Sequence, residues 1–216
     1  MLFYLAPMEG ITGYIVRNAY AHYFPYIDKY FTPFIPATKK MSKKIKRDLA
    51  AENNEQIRLV PQLIGNRADE FLMMIRQLEE LGFTSVNLNF GCPSGTVVSK
   101  RKGAGFLADP KELEMLLEEV LEKSPLAVSV KTRVGIKDPD EWEALCTAYA
   151  KFPLEELIIH PRLQIDYYSG TPRMETFARA LEQIHVPLCY NGDICSAEDY
   201  KKVTAAFLSL IHISEP

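Results

Sequence analysis

Seven short apolar runs recur along the chain at intervals too long for hairpins: Leu2–Ala6, Lys29–Phe34, Leu59–Ile64, Ser85–Asn89, Ala127–Thr132, Leu157–His160 and Pro187–Asn191. They are rich in β-branched and aromatic residues, as strands are. The stretches between them are long enough for the crossovers that parallel strands require. Several of those stretches carry helical punctuation. Asn66-Arg67-Ala68-Asp69 opens a segment in which Phe71, Leu72, Ile75, Leu78 and Leu81 fall at helical spacing, and Gly82 stands where a C-terminal cap belongs. Asp109-Pro110 opens another, with proline at the first helical position and Glu112 in the first turn. Asp138-Pro139-Asp140-Glu141 and Ser196-Ala197-Glu198-Asp199 open two more. Alternation of this kind predicts an α/β fold built on a parallel sheet.

Such a sheet is either open and doubly wound or closed into a barrel. An open sheet that binds a dinucleotide carries Gly-x-Gly-x-x-Gly after its first strand; this chain has Pro7-Met8-Glu9-Gly10 there. Residues suited to ligand contact stand instead at the ends of many strands: Met8, Gln62, Asn89, Lys131, His160 and Asn191. A (β/α)8 TIM barrel gathers strand ends at one mouth, and that closure is the one expected. Barrels typically take about 250 residues, and the 216 here leave only Phe207–Ile213 for an eighth strand before Ser214-Glu215-Pro216. No charge block or Pro/Gly-rich linker splits the chain, so 1–207 reads as a single domain.

A net charge of -3 argues against wholesale wrapping of nucleic acid while allowing a local basic patch. Four scattered cysteines without a Cys-x-x-Cys pair read as a reduced, cytosolic protein with neither zinc site nor disulfide framework. No apolar run approaches the roughly 20 residues of a membrane span. Met1–Leu5 is too short for a signal peptide and reads as the first strand.

The stretch with most chemical content is Val86-Asn87-Leu88-Asn89-Phe90-Gly91-Cys92-Pro93. It alternates like a strand, then breaks on glycine and proline, leaving a thiol just past the strand end. The basic, glycine-rich run Ser99–Gly105 follows and reads as a flexible loop. A core cysteine needs neither the Gly-Cys-Pro turn nor that loop, so Cys92 is the candidate catalytic group. Taken singly, Lys131 suits a snorkelling surface lysine and His160 a hydrogen-bonded structural histidine. Together with Gln62 they form a set of donors converging on one mouth, which suits a planar, acceptor-rich cofactor. Asn191-Gly192-Asp193 fits either a plain turn or a close backbone approach to a phosphate or ribityl chain. Two basic clusters, Lys39–Arg47 and Lys100-Arg101-Lys102, point to a nucleic-acid backbone.

These residues together resemble the tRNA-dihydrouridine synthases. The likeness runs through Ala6-Pro7-Met8-Glu9-Gly10, Gln62-Leu63-Ile64-Gly65, Asn87–Pro93, Lys100–Gly105, Val130-Lys131-Thr132-Arg133, His160-Pro161-Arg162, Tyr168-Ser169-Gly170 and Asn191-Gly192-Asp193. It implies an FMN-bearing barrel that reduces the C5–C6 bond of uridines in tRNA, NADPH reducing the flavin. Cys92 would protonate C5 after hydride reaches C6. Pro7, Met8 and Glu9 would lie against the flavin. Gln62, Lys131 and His160 would contact its ring or ribityl chain, and Asn191, Gly192 and Asp193 would reach its phosphate end. Asn89 would hold the flipped-out base, and Lys100, Arg101, Lys102 and Arg162 would meet the RNA. The protein would be a cytoplasmic monomer without a metal. Two departures qualify the likeness. Leu163 follows Arg162 where the family has threonine, and the family's eighth strand, Gly-Arg-Gly turn and C-terminal helical domain are missing or replaced after Phe207. Residues 208–216 read as a foreign tail, like translated sequencing-adapter read-through. The alternatives are a flavin barrel of the dihydroorotate dehydrogenase kind acting on a free pyrimidine, and a non-catalytic RNA-binding fragment.

Overall fold

The computed structural model describes residues 1–207 in full and residues 212–215 as backbone. The strands are β1 (Leu2–Leu5), β2 (Lys29–Phe31), β3 (Ile35–Pro36), β4 (Leu59–Val60), β5 (Gln62–Ile64), β6 (Ser85–Phe90), β7 (Ala127–Arg133), β8 (Leu157–His160), β9 (Leu188–Asn191) and β10 (His212–Glu215). Every pairing among the described residues is parallel. The order is β3-β5-β6-β7-β8-β9-β10-β1-β2-β4. Its two ends belong together, because Pro61 alone separates β4 from β5 and residues 32–34 separate β2 from β3. Each of these pairs is one stave interrupted beside a proline, a residue with no N–H for the ladder. The ten strands thus make eight staves of a (β/α)8 barrel, with the chain carrying the ring across Pro61. Thr32 Oγ1 accepts the Gln62 N–H (2.9 Å) at the interruption. The runs Lys29–Phe34 and Leu59–Ile64, expected as single strands, are corrected to these broken staves.

The eighth position is filled rather than empty. Backbone of the tail, β10, lies between β9 and β1 and pairs with both, Leu2 opposite His212 and Cys189 opposite His212. Residues 208–211 and 216, which belong to the expected eighth strand and the foreign tail, lie outside the described residues.

Helices α1 (Tyr14–Tyr23), α2 (Lys43–Leu49), α3 (Ala68–Glu80), α4 (Gly95–Val98), α5 (Pro110–Lys123), α6 (Glu141–Ala150), α7 (Met174–Gln183) and α8 (Ala197–Ala206) follow the staves. Helices α3, α5 and α8 start where the sequence indicates. Asp109 accepts the Lys111 and Glu112 N–H groups ahead of α5, and Ser196 accepts that of Asp199 in α8. Leu81, expected on the core face of α3, is the exposed C-cap instead, and Gly82 takes a φ of 87° just after it. The helix opened by Asp138 begins only at Glu141, after a turn.

Alternation along the strands separates two apolar layers. In β8, Leu157 and Ile159 join the helix-facing core, while Ile158 joins Tyr4, Phe31, Val60 and Cys189 inside the barrel. Lower in the barrel a buried charge pair, Lys29 Nζ to Glu156 Oε2 (3.1 Å), is completed by the Tyr4 hydroxyl donating to Glu156 Oε1 (2.9 Å). Charges this deep persist only when paired and hydrogen-bonded.

Candidate active site

The C-terminal ends of the staves surround a cavity of about 290 Å³. Cys92, Asn89, Gln62, Lys131, His160, Pro7, Met8, Glu9 and residues 191–193 all border it. Lys100, Arg101, Lys102 and Arg162 do not.

The thiol turn is held from three sides. Asn89 Oδ1 accepts the N–H of Gly91 (3.1 Å) and of Cys92 (2.9 Å). Arg133, buried, donates Nε to Gly91 O (3.0 Å) and NH1 to Leu163 O (2.8 Å), with its guanidinium over the Tyr168 ring at 5.5 Å. Behind the turn lies Gly103–Ala108, a buried 3-10 segment, and Ala104 N donates to Cys92 O (3.0 Å). A Cβ on Gly103 would stand 2.7 Å from Cys92 O, at a φ of 54°. One on Gly105 would stand 2.7 Å from Val98 O. The glycines expected to form a flexible loop are therefore the packed seat of the cysteine, and Ser99, Lys100 and Arg101 ahead of them are exposed.

Burial pushes the Cys92 thiol up from its ordinary value. The Ser94 backbone, Arg133 and Lys131 pull it down, Glu9 adds to the rise, and burial prevails. The group is a thiol at neutral pH.

Below it runs a chain of side-chain amides. Asn89 Nδ2 donates to Gln62 Oε1 (2.8 Å), Gln62 Nε2 to Asn87 Oδ1 (2.8 Å), and Asn87 Nδ2 to Ser129 Oγ (2.9 Å). Ser129 ends it by donating to Val86 O (3.2 Å).

On the opposite side Lys131 Nζ donates to Asn191 Oδ1 (2.5 Å). His160 is held neutral, its pKa lowered to about 2 by burial and then by Lys131, Arg133 and Arg162. Arg162 NH1 lies 3.0 Å from His160 Nε2. A guanidinium only donates, so Nε2 accepts and the imidazole proton sits on Nδ1. Arg162, expected to meet RNA, has its side chain turned into the protein. It is 1% exposed, and it donates to Ser169 O (3.1 Å), to Gly170 O and to both carboxylate oxygens of Asp193 (2.7 and 2.6 Å). Asp193, whose expected role was at a phosphate, neutralises that guanidinium. At Gly192 a Cβ would meet Pro172 Cγ at 3.3 Å and His160 Cδ2 at 3.4 Å, so a side chain there would crowd the cavity wall.

The two basic clusters differ. Arg101 is paired with Glu112. Around α2, Lys39, Lys40, Lys43, Lys44, Lys46 and Arg47 are mostly exposed, Ile45 alone among residues 42–47 turning partly inward. The helix's one acid, Asp48, is turned inward to Tyr14 N (2.7 Å) and buried Arg17 (3.1 Å).

Sequence reasoning assigns no role to Arg133, Tyr168, Asn87 or Ser129. Arg133 stands inside one of the motifs that carry the family likeness, but its hydrogen bonds join segments 42 and 30 residues apart, which no local pattern announces.

The profile of a family described as Dihydrouridine synthase (Dus) matches residues 4–207. A tRNA-dihydrouridine(16) synthase of Pseudomonas putida is 31% identical over 207 residues, covering 92% of this chain and 64% of the relative. A tRNA-dihydrouridine synthase B of Pasteurella multocida is 29% identical, over 93% of this chain and 60% of the relative. The chain thus spans less than two thirds of these relatives' length. Among solved structures, a morphinone reductase in complex with tetrahydroNAD superposes with a TM-score of 0.65 at 10% identity, over 98% of this chain and 82% of that one, a likeness of fold alone.

Proposed function

Because the chain belongs to the dihydrouridine synthase family, we propose that its barrel reduces uridines in tRNA to 5,6-dihydrouridine, with FMN as cofactor and NADPH as reductant. The observation that carries this reading is the Cys92 turn, which holds a protonated thiol at the rim of a cavity lined with hydrogen-bond donors.

The residues present fit a flavin. Gln62, Lys131 and the Nδ1–H of His160 offer donors to an acceptor-rich ring, and Gly192 leaves room that a Cβ would close. When bound, the reduced flavin supplies the hydride taken up at uracil C6. The chain's own part is to hold the base and deliver the proton. Cys92 Sγ–H protonates C5, so that the C5–C6 double bond gains one hydride and one proton, and the thiolate left is reprotonated from solvent. Arg133 and Lys131 face Cys92 and stabilise the thiolate while it lasts. Asn89 fixes the backbone of the turn and thereby the direction of the thiol. The exposed cations of α2 suit a phosphate backbone; a free pyrimidine as substrate would give them no partner.

The test is anaerobic single turnover. The purified chain, loaded with FMN and reduced, should be reoxidised on mixing with an unmodified tRNA transcript. Reoxidation by free dihydroorotate-type pyrimidines but not by the transcript would overturn the assignment.

A further inference from the structure

Helix α1 is held to the barrel by an arginine rather than by an apolar face. Arg17, its one buried residue, donates to Thr12 O (2.8 Å), Asp48 O (2.9 Å) and Asn54 Oδ1 (2.9 Å). Asn18 Nδ2 donates to Asn53 O (2.9 Å), which marks the flank of α1 that faces the segment after α2. Tyr20 and Tyr23 stand about 200° and 140° round the helix from Asn18, on the flank turned away from that segment. A (β/α)8 barrel sets a helix after every stave. The one after the eighth would run along this second flank, because β10 lies beside β1. Among the described residues no helix follows β10, and the flank is open. Tyr20 is 37% exposed, Tyr23 72%, Phe24 54% and Tyr26 82%, with Ile15 at 69% on the outer side. Phe24 leans on Tyr20, their ring centroids 5.3 Å apart.

An aromatic side chain presents about 150–250 Å², so these four leave roughly 350–600 Å² uncovered. That equals the largest apolar patch of an ordinary monomer, about 300–600 Å², and Ile15 extends it. Doubled across a symmetric contact it comes to roughly 700–1,200 Å², the size of weak, transient pairs. Charge narrows the occupant further. Residues 19–27 hold no Lys, Arg, Asp or Glu. A nucleic acid strand calls for cations beside the rings, and a membrane surface for a basic polar face. A two-fold axis instead brings a residue against its own copy, where any charge would repel itself. This uncharged face meets that condition.

We infer that the chain pairs with a second copy of itself through the exposed flank of α1, about a two-fold axis that sets the two Tyr23 rings together, in place of the monomer that the family resemblance implies. None of these residues borders the cavity, so the pairing is separate from the proposed activity.

Sedimentation equilibrium of the 216-residue chain tests this. Its weight-average mass should climb from one chain to two, and stop there, over about 1 µM–1 mM, since contacts of this size give micromolar or weaker affinity. Tyr23→Glu sets two carboxylates face to face and should raise the concentration for half-association about tenfold or more. Tyr23→Lys should do the same, and an equimolar mixture of the two variants should associate again, which unspecific adhesion cannot produce. Ile15→Glu is a second disruption should the Tyr23 variants lose the parent's circular dichroism. Met115→Glu, on α5 and equally exposed at 70%, should change nothing. A mass that stays at one chain, one that climbs past two, or association unaltered by Tyr23→Glu and Ile15→Glu would overturn the inference. Failure of the mixture to associate would overturn the two-fold placement of Tyr23. A monomer that binds a tRNA transcript or phosphatidylcholine vesicles through Tyr23 would give the face to that partner instead.

Discussion

Cys92 keeps its proton at neutral pH because burial outweighs the pull of Arg133 and Lys131. With the thiol as the proposed acid and its pKa raised, the rate of flavin reoxidation by tRNA should stay level through neutral pH. It should fall only as pH climbs above the ordinary thiol value. Cys92→Ala should retain FMN but slow this step by about 10²–10⁴-fold, the usual worth of a positioned acid; Cys146, Cys189 and Cys195 replaced in the same way should not. An unchanged rate in Cys92→Ala would remove the thiol from the mechanism. His160 gives a second pH signature. Its pKa is about 2 in the folded protein against an ordinary 6.5, so between those values the unfolded chain binds a proton that the folded one does not. The stability contributed by the neutral ring is present above pH 6.5 and lost as pH falls. From about pH 7.5 to 5, urea unfolding of the parent should lose about 2 kcal/mol more than that of His160→Asn; parallel losses would contradict the neutral, buried imidazole. At this scale the turn that sets Cys92 at the cavity was legible because Gly91 and Pro93 announce it. The burial of Arg162 was not legible, because a charged residue in a short motif looks solvent-bound until its acid, Asp193, is seen across 31 residues.

Among the elements, α2 is the one whose composition works against its own stability. Lys43 stands three and four residues from Lys46 and Arg47, and the first turn carries no acid. Like charges at such spacing cost about 0.2–0.5 kcal/mol per pair, a cost that an anionic partner relieves. Replacing Lys43, Lys44, Lys46 and Arg47 with glutamine should flatten the log–log salt dependence of tRNA binding by about 3, at roughly 0.7–0.9 for each phosphate no longer neutralised. Arg101→Gln alone, removing a cation already paired with Glu112, should leave the slope unaltered. Equal slopes for the parent and the α2 variant would show that this helix does not meet the backbone. Of the helices with a side-chain cap, α5 and α8 could be read from sequence, whereas α2, capped by Ser42, stood out only as a basic cluster. The N-caps of α1 and α7, Gly13 and Arg173, accept no such bond, so neither helix announced its start. The breaks at residues 32–34 and at Pro61 were hidden because apolar character continues across them.

For the whole molecule, the alternation of runs and crossovers was enough to identify the barrel, since parallel strands this far apart have few ways to bury both faces. It left the eighth stave open, and the structure fills it with β10 from the tail. We propose that residues 208–216 are nonetheless foreign to the protein and supply none of the phosphate contacts of the family's Gly-Arg-Gly turn. Two charge-assisted contacts at about 1.5–3 kcal/mol each correspond to roughly two to four orders of magnitude in affinity. FMN should therefore bind that much more tightly to a chain whose residues from 208 onward are replaced by a relative's C-terminal sequence. Equal affinities would show the tail to be functional. The pairing of Leu2 with His212 also sets a timetable. On the ribosome, at about 5–20 residues per second, β1 waits roughly 10–40 s between its own emergence and that of its second neighbour. Throughout that interval one edge of the first strand made is open to any other extended segment, so the nascent barrel is most vulnerable to mispairing at its oldest strand.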